Sequence, residues 1–183
     1  FAMELWEQEI LNLDDTDGLV LHWGDRDVIL TLLEKMARRE GDFATLLSQG
    51  VRRAAEAIGR GAEQYAMHVK GMAIAAQDGR AQKSMGLAHV TSNRGADHLK
   101  AFPVIDETGY PDEARRRYGE DYLPEMAQPL ATKHKPFLVK DGEDFGAVVD
   151  SVGVCKSGGT FVLAEVYWAD IAAALEAATG MEM

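Results

Sequence analysis

A carboxylate and the only thiol of the chain stand five residues apart in Asp150-Ser151-Val152-Gly153-Val154-Cys155. One thiol cannot complete a structural zinc or iron–sulfur site, which takes about four protein ligands, and it cannot close an internal disulfide. Cys155 is therefore either a small buried apolar side chain or one ligand of a set whose other members lie elsewhere. Its neighbours Asp150, Gly153 and Lys156 supply an anion, a bare backbone and a cation, with Ser157-Gly158-Gly159 directly after. An ionised Asp150 accepts hydrogen bonds only, Gly153 admits close backbone approach, and Lys156 favours the thiolate of Cys155. The same residues also read as an N-cap aspartate, a glycine turn and a buried thiol. Spacing alone favours that second reading.

Upstream, Thr91-Ser92-Asn93-Arg94-Gly95 gathers hydroxyls, an amide and a guanidinium beside a glycine. Such a loop binds an anion through forked donors, or ties itself down on backbone carbonyls. His98 follows three residues on, and a neutral imidazole there can shuttle a proton beside a reacting oxygen. A hydrogen-bonded core histidine is the alternative. His68 and Lys70 read as cations at a helix end, while His22, His89 and His134 lack comparable context.

Three segments in order carry a resemblance: Tyr65-Ala66-Met67-His68-Val69-Lys70-Gly71, then Thr91-Ser92-Asn93-Arg94-Gly95-Ala96-Asp97-His98-Leu99, then Asp150 to Cys155. Together they resemble the tungsten-dependent aldehyde:ferredoxin oxidoreductase family over essentially the whole chain. The resemblance implies a mainly α fold of irregular helical domains, like domains 2 and 3 of that family. Residues 1–102 would belong to domain 2 and residues 103–183 to domain 3. It implies a tungsten (or molybdenum) bis-pyranopterin and a 4Fe–4S cluster as cofactors. Asp150, Gly153, Val154 and Arg94 would contact the pterin, and Cys155 would be the last cluster ligand. His98 would act as the proton-transfer group and Gln77 would line the substrate cavity. The partners it implies are ferredoxin, a small aldehyde, an N-terminal domain of the same chain and a second copy in a homodimer.

The segment after Gly71 departs from the family pattern. Met72 replaces Leu, Ala73 replaces Glu, Ala75 replaces Pro, Gln77 replaces Tyr and Gly79 replaces Pro; Asp97 stands where some relatives carry Cys. A smaller, more polar cavity wall keeps a reductase acting on an acid or thioester as the alternative. A non-catalytic helical module is the reading from a different class.

These residues need elements to hold them. Asp25 reads as the N-cap of a helix to Arg39, Val51–Ile58 as a second helix, and Ala62–Val69 as a third closed by Gly71. Leu19–Trp23 reads as a brief strand and Phe43–Gln49 as a turn. From Met72 to Phe102 no period persists, as befits a functional loop. Tyr110-Pro111 opens a charged helix, Glu125–Val139 reads as a helix broken at Pro129 and Pro136, and Trp168–Ala178 is helical.

A net charge of −11 argues against a nucleic-acid partner, which calls for a basic face. No apolar run approaches the roughly 18 residues of a membrane span. One cysteine without a disulfide framework fits a reducing cytoplasm. Phe1 in place of an initiator Met, and an end directly after Thr179-Gly180, lead us to expect a fragment.

Overall fold

A computed structural model describes residues 1–107, 109–157 and 166–182. Two compact units divide the chain, Phe1–Ile74 and Ala75–Met183. The His98 segment and the Asp150–Cys155 motif fall in the second.

The first unit is helical: α1 (Ala2–Glu7), α2 (Arg26–Arg38), α3 (Asp42–Leu47) and α4 (Val51–Ile58). Asp25 caps α2, its Oδ1 accepting the N–H groups of Asp27 and Val28 at 3.1 Å each. Leu5, Leu32, Phe43, Leu47 and Ala54 join one apolar core. The expected turn at Phe43–Gln49 is α3 instead. Its start is fixed by Asp17, whose Oδ2 accepts the Phe43 N–H at 3.2 Å.

Leu19–Trp23 is irregular rather than a strand. Thr16, fully buried, donates its hydroxyl to the Leu19 carbonyl at 2.6 Å and folds the segment into turns. The third expected helix is also corrected. A short 3-10 turn covers Ala62–Tyr65, and β1 (His68–Val69) pairs antiparallel with β2 (Met72–Ala73). Lys70 and Gly71, at φ of 54° and 85°, form the two-residue loop between them. Two consecutive positive φ values suit a tight hairpin turn, and a lysine–glycine pair also marks helix ends, hence the misreading. His68 consequently lies in the hairpin, where its Nδ1 accepts the Gly71 N–H at 3.3 Å.

The second unit holds α5 (Lys83–Thr91), α6 (Val104–Glu107), α7 (Pro111–Tyr118), α8 (Lys135–Val152) and α9 (Trp168–Thr179). The chain is mainly α, as expected. Helix α8 does not break at Pro136, because Pro136 lies in its first turn, where no N–H partner is needed. Leu138, Gly142, Phe145 and Val149 are buried along one stripe of α8. Helix α9 covers it, the Trp168 ring meeting Phe145 edge-on at 5.0 Å.

A buried polar network fixes the starts of α5 and α8. Lys135 Nζ lies 2.9 Å from Asp106 Oδ2 and donates to the Met126 carbonyl at 2.7 Å. Asp106 Oδ1 accepts from Gln82 Nε2 at 3.0 Å and from the Ser84 hydroxyl. Among the described residues no helix is long and apolar enough to cross a membrane.

Candidate functional site

Helix α5 ends at Thr91, and the chain turns through buried Ser92 into the Arg94–His98 loop. Asp97 organises this loop. Its carboxylate is buried; Oδ1 accepts the Leu99 N–H at 2.9 Å and Oδ2 pairs with the Arg94 guanidinium. Both oxygens are thus engaged within the loop, which leaves the ordered side chain of Arg94 more than half exposed.

His98 is half-buried, with its ring 6.3 Å from that of Phe102. His89, on the last turn of α5, is only 2% exposed. Its Nε2 is buried and has no hydrogen-bond partner among the described residues. Burial holds the His89 imidazole below its ordinary pKa; the neighbouring His98 pushes the same way and Asp97 opposes. These interactions put the two histidines and the aspartate in one electrostatic neighbourhood. Sequence reasoning missed His89, which lies nine residues before His98 in no recognisable pattern.

Residues 98–102 then press onto α8. The Phe102 N–H reaches the His98 carbonyl at 3.1 Å. A Cβ on Gly146 would lie 2.5 Å from the Lys100 carbonyl oxygen, and one on Gly142 would overlap the Ala101 carbonyl oxygen. Two glycines one turn apart therefore let this turn lie against the helix that carries Asp150.

Asp150 is in the last turn of α8, not at an N-cap, and Gly153 ends the helix in the left-handed conformation at φ 75°. Such a residue at the helix end is favoured as glycine. Among the described residues nothing lies within 4 Å of a Cβ built on Gly153. The N–H of Val154 donates to the Val149 carbonyl at 3.1 Å. Cys155 is exposed rather than buried. Gly158 and Gly159 lie outside the described residues.

Lys156 joins the two motifs. Its ammonium is 2.8 Å from Asp150 Oδ2 and donates to the Leu99 carbonyl at 3.1 Å. Its charge is thereby shared with a carboxylate. The other Asp150 oxygen, Oδ1, makes no hydrogen bond to the described residues.

Lys156 thus joins Asp150 to the Leu99 carbonyl, next to His98, and Arg94 pairs with Asp97, while Gly153, Val154 and Cys155 follow Asp150 along the chain. Gln77 lies in the same unit, apart from this set. Its Oε1 is buried without a hydrogen-bond partner among the described residues. Its loop is pinned where Gly79 packs on Gly86 of α5, since a Cβ on Gly79 would lie 2.6 Å from the Gly86 Cα. Among the described residues no three His, Cys, Asp or Glu side chains gather closely enough to hold a metal ion.

Comparison with known proteins bears on this arrangement. The family described as aldehyde ferredoxin oxidoreductase, domains 2 & 3, matches residues 1–183. The chain is 31% identical over 156 residues to a tungsten-containing aldehyde ferredoxin oxidoreductase of Pyrococcus furiosus, covering 84% of this chain and 23% of that protein. A protein of the same description from Pyrococcus horikoshii is 32% identical over 158 residues, covering 84% and 24%. An aliphatic sulfonate oxidoreductase, WOR-like subunit, of Pyrococcus furiosus is 34% identical over 117 residues, covering 60% and 18%. The chain spans about a quarter of the length of the first two relatives.

Proposed function

Because the chain belongs to the aldehyde ferredoxin oxidoreductase family, we propose that it forms the part of a tungsten (or molybdenum) bis-pyranopterin oxidoreductase that binds the pterin, completes a 4Fe–4S cluster and lines the substrate cavity. The overall reaction is RCHO + H2O → RCOO⁻ + 3 H⁺ + 2 e⁻, with two ferredoxins each accepting one electron. When bound, the metal–pterin centre supplies the two-electron step and the cluster divides it into single electrons.

The donors present fit these groups. A pterin ring offers N–H donors, and Asp150 is a half-exposed carboxylate with one oxygen held by Lys156 and the other, Oδ1, without a hydrogen bond to the described residues. Among the described residues nothing crowds Gly153, so the backbone of Gly153 and Val154 can approach a ring. The exposed Cys155 thiol would be the iron ligand, and Arg94, held by Asp97 and more than half exposed, would meet an anionic group of the cofactor. His98 would take the proton released as the substrate is oxidised. Burial holds the nearby His89 imidazole below its ordinary pKa.

The observation that carries the reading is the Lys156 bridge, which unites the His98 segment and the Asp150–Cys155 turn. The test uses the full-length protein containing this chain, produced with tungstate, and measures aldehyde-dependent reduction of ferredoxin. Two reduced ferredoxins per acid, in protein that contains tungsten and iron, are expected. A folded protein lacking tungsten, pterin and iron would contradict the proposal.

A second reading keeps the cofactors and changes the substrate. The buried amide oxygen of Gln77, without a hydrogen-bond partner among the described residues, stands where the family pattern has tyrosine and favours a substrate that donates a hydrogen bond. A reductase acting on a protonated acid fits that wall, since the acid O–H can donate to the amide oxygen. Comparing such substrates with simple aldehydes in the same assay separates the two readings.

A further inference from the structure

We propose that Lys156 is a positioning residue, whose ammonium sets the Asp150 carboxylate for the cofactor and neutralises it next to the cluster held by Cys155. This rests on the reading of Asp150 and Cys155 given above.

Geometry carries the inference. The chain leaves α8 through the left-handed turn at Gly153, passes Cys155 on the exposed side, and sends the Lys156 side chain back across the helix end. That side chain is 11% exposed although it carries a charge. A buried ammonium is retained only where acceptors meet it, and here one is a carboxylate six residues back and the other a carbonyl 57 residues away.

The consequence for Asp150 is specific. With Oδ2 bonded to Lys156, the carboxylate is restricted in rotation and Oδ1 is presented to whatever lies beyond. The consequence for Cys155 is electrostatic. An unpaired carboxylate close to a cluster ligand disfavours the reduced, more negative cluster; the paired one does not. Arginine is not equivalent here, because its planar fork engages both oxygens of a carboxylate and would occupy Oδ1.

The test is made on the full-length, cofactor-loaded protein, with the midpoint potential of the cluster followed by EPR. Lys156→Met should keep the iron content and lower the potential, because the Asp150 charge is left uncompensated. The double variant Lys156→Met/Asp150→Asn should bring the potential back towards the wild-type value. A purely structural role for Lys156 predicts no such reversal. Lys156→Gln, which keeps a donor for the Leu99 carbonyl, serves if the Met variant does not fold, with the same sign expected. Lys156→Arg should retain iron yet lose pterin. An unchanged potential in the Met or Gln variant, or a shift that the double variant does not reverse, overturns the proposal. A cluster that survives Cys155→Ala overturns the underlying reading and this proposal with it. A cluster lost in Cys155→Ala beside an unchanged potential in Lys156→Met overturns this proposal alone.

Discussion

A Cβ on Gly146 would come within 2.5 Å of the carbonyl oxygen of Lys100. One helix turn earlier, Gly142 stands in the same relation to Ala101. The segment that carries His98 thus rests on α8 at two points where only hydrogen atoms separate the chains.

Alanine at either position should therefore destabilise the protein. In an ordinary helix interior, glycine to alanine gains ~0.5–1 kcal/mol. Here the added methyl meets backbone, and overpacking of this kind costs about 1–3 kcal/mol. Thermal unfolding midpoints of Gly142→Ala and Gly146→Ala should both fall. A rise in either would show that the two segments do not meet there.

Lys135 and Asp106 should be sensitive in a different way. The pair is almost wholly buried, and removing one partner leaves an uncompensated charge at a cost of about 3–5 kcal/mol. Lys135→Met should lower the unfolding midpoint strongly, and Lys135→Met/Asp106→Asn should recover part of the loss. Equal midpoints for the wild type and the single variant would exclude the buried pair.

His89 gives a pH dependence whose sign is fixed. Its folded-state pKa is lowered, chiefly by burial, so the unfolded chain binds the proton more readily. Its contribution to stability is complete above about pH 6.5, the ordinary histidine value, and is lost as pH falls below it towards the folded pKa. Unfolding of the wild type should therefore ease in that window more steeply than unfolding of His89→Leu. Parallel profiles for the two proteins would refute this.

The helix-rich character of the chain, the Asp25 cap and the terminal helix were legible because amphipathic spacing and capping residues are local signals. Helix α5 was not. Its buried face includes Ser84 and His89 alongside Met85 and Ala88, so apolar periodicity fails even though the element forms. Lys70-Gly71 misled because positive φ serves hairpins and helix ends alike. Within the site, the motif residues were legible as types and spacings, whereas His89, the Lys156 bridge and the glycine seat on α8 depend on contacts between residues distant in sequence. A periodic reading contains no such pairing.

His98 should separate chemistry from structure. His98→Asn in the full-length protein should leave tungsten and iron content intact while lowering kcat by ~10²–10⁴-fold, the usual contribution of a positioned acid–base group. Near-normal kcat in a fully loaded variant would remove His98 from the reaction. Loss of the cofactors together with activity would assign it to structure.

The most direct test of the central claim is the cluster itself in Cys155→Ala. The full-length variant, purified without oxygen, should lose or convert its 4Fe–4S centre, with iron content and the low-temperature EPR signal of the reduced protein falling together. A wild-type iron content and an unchanged EPR signal would show that Cys155 is not a ligand, and the account of this site would fail.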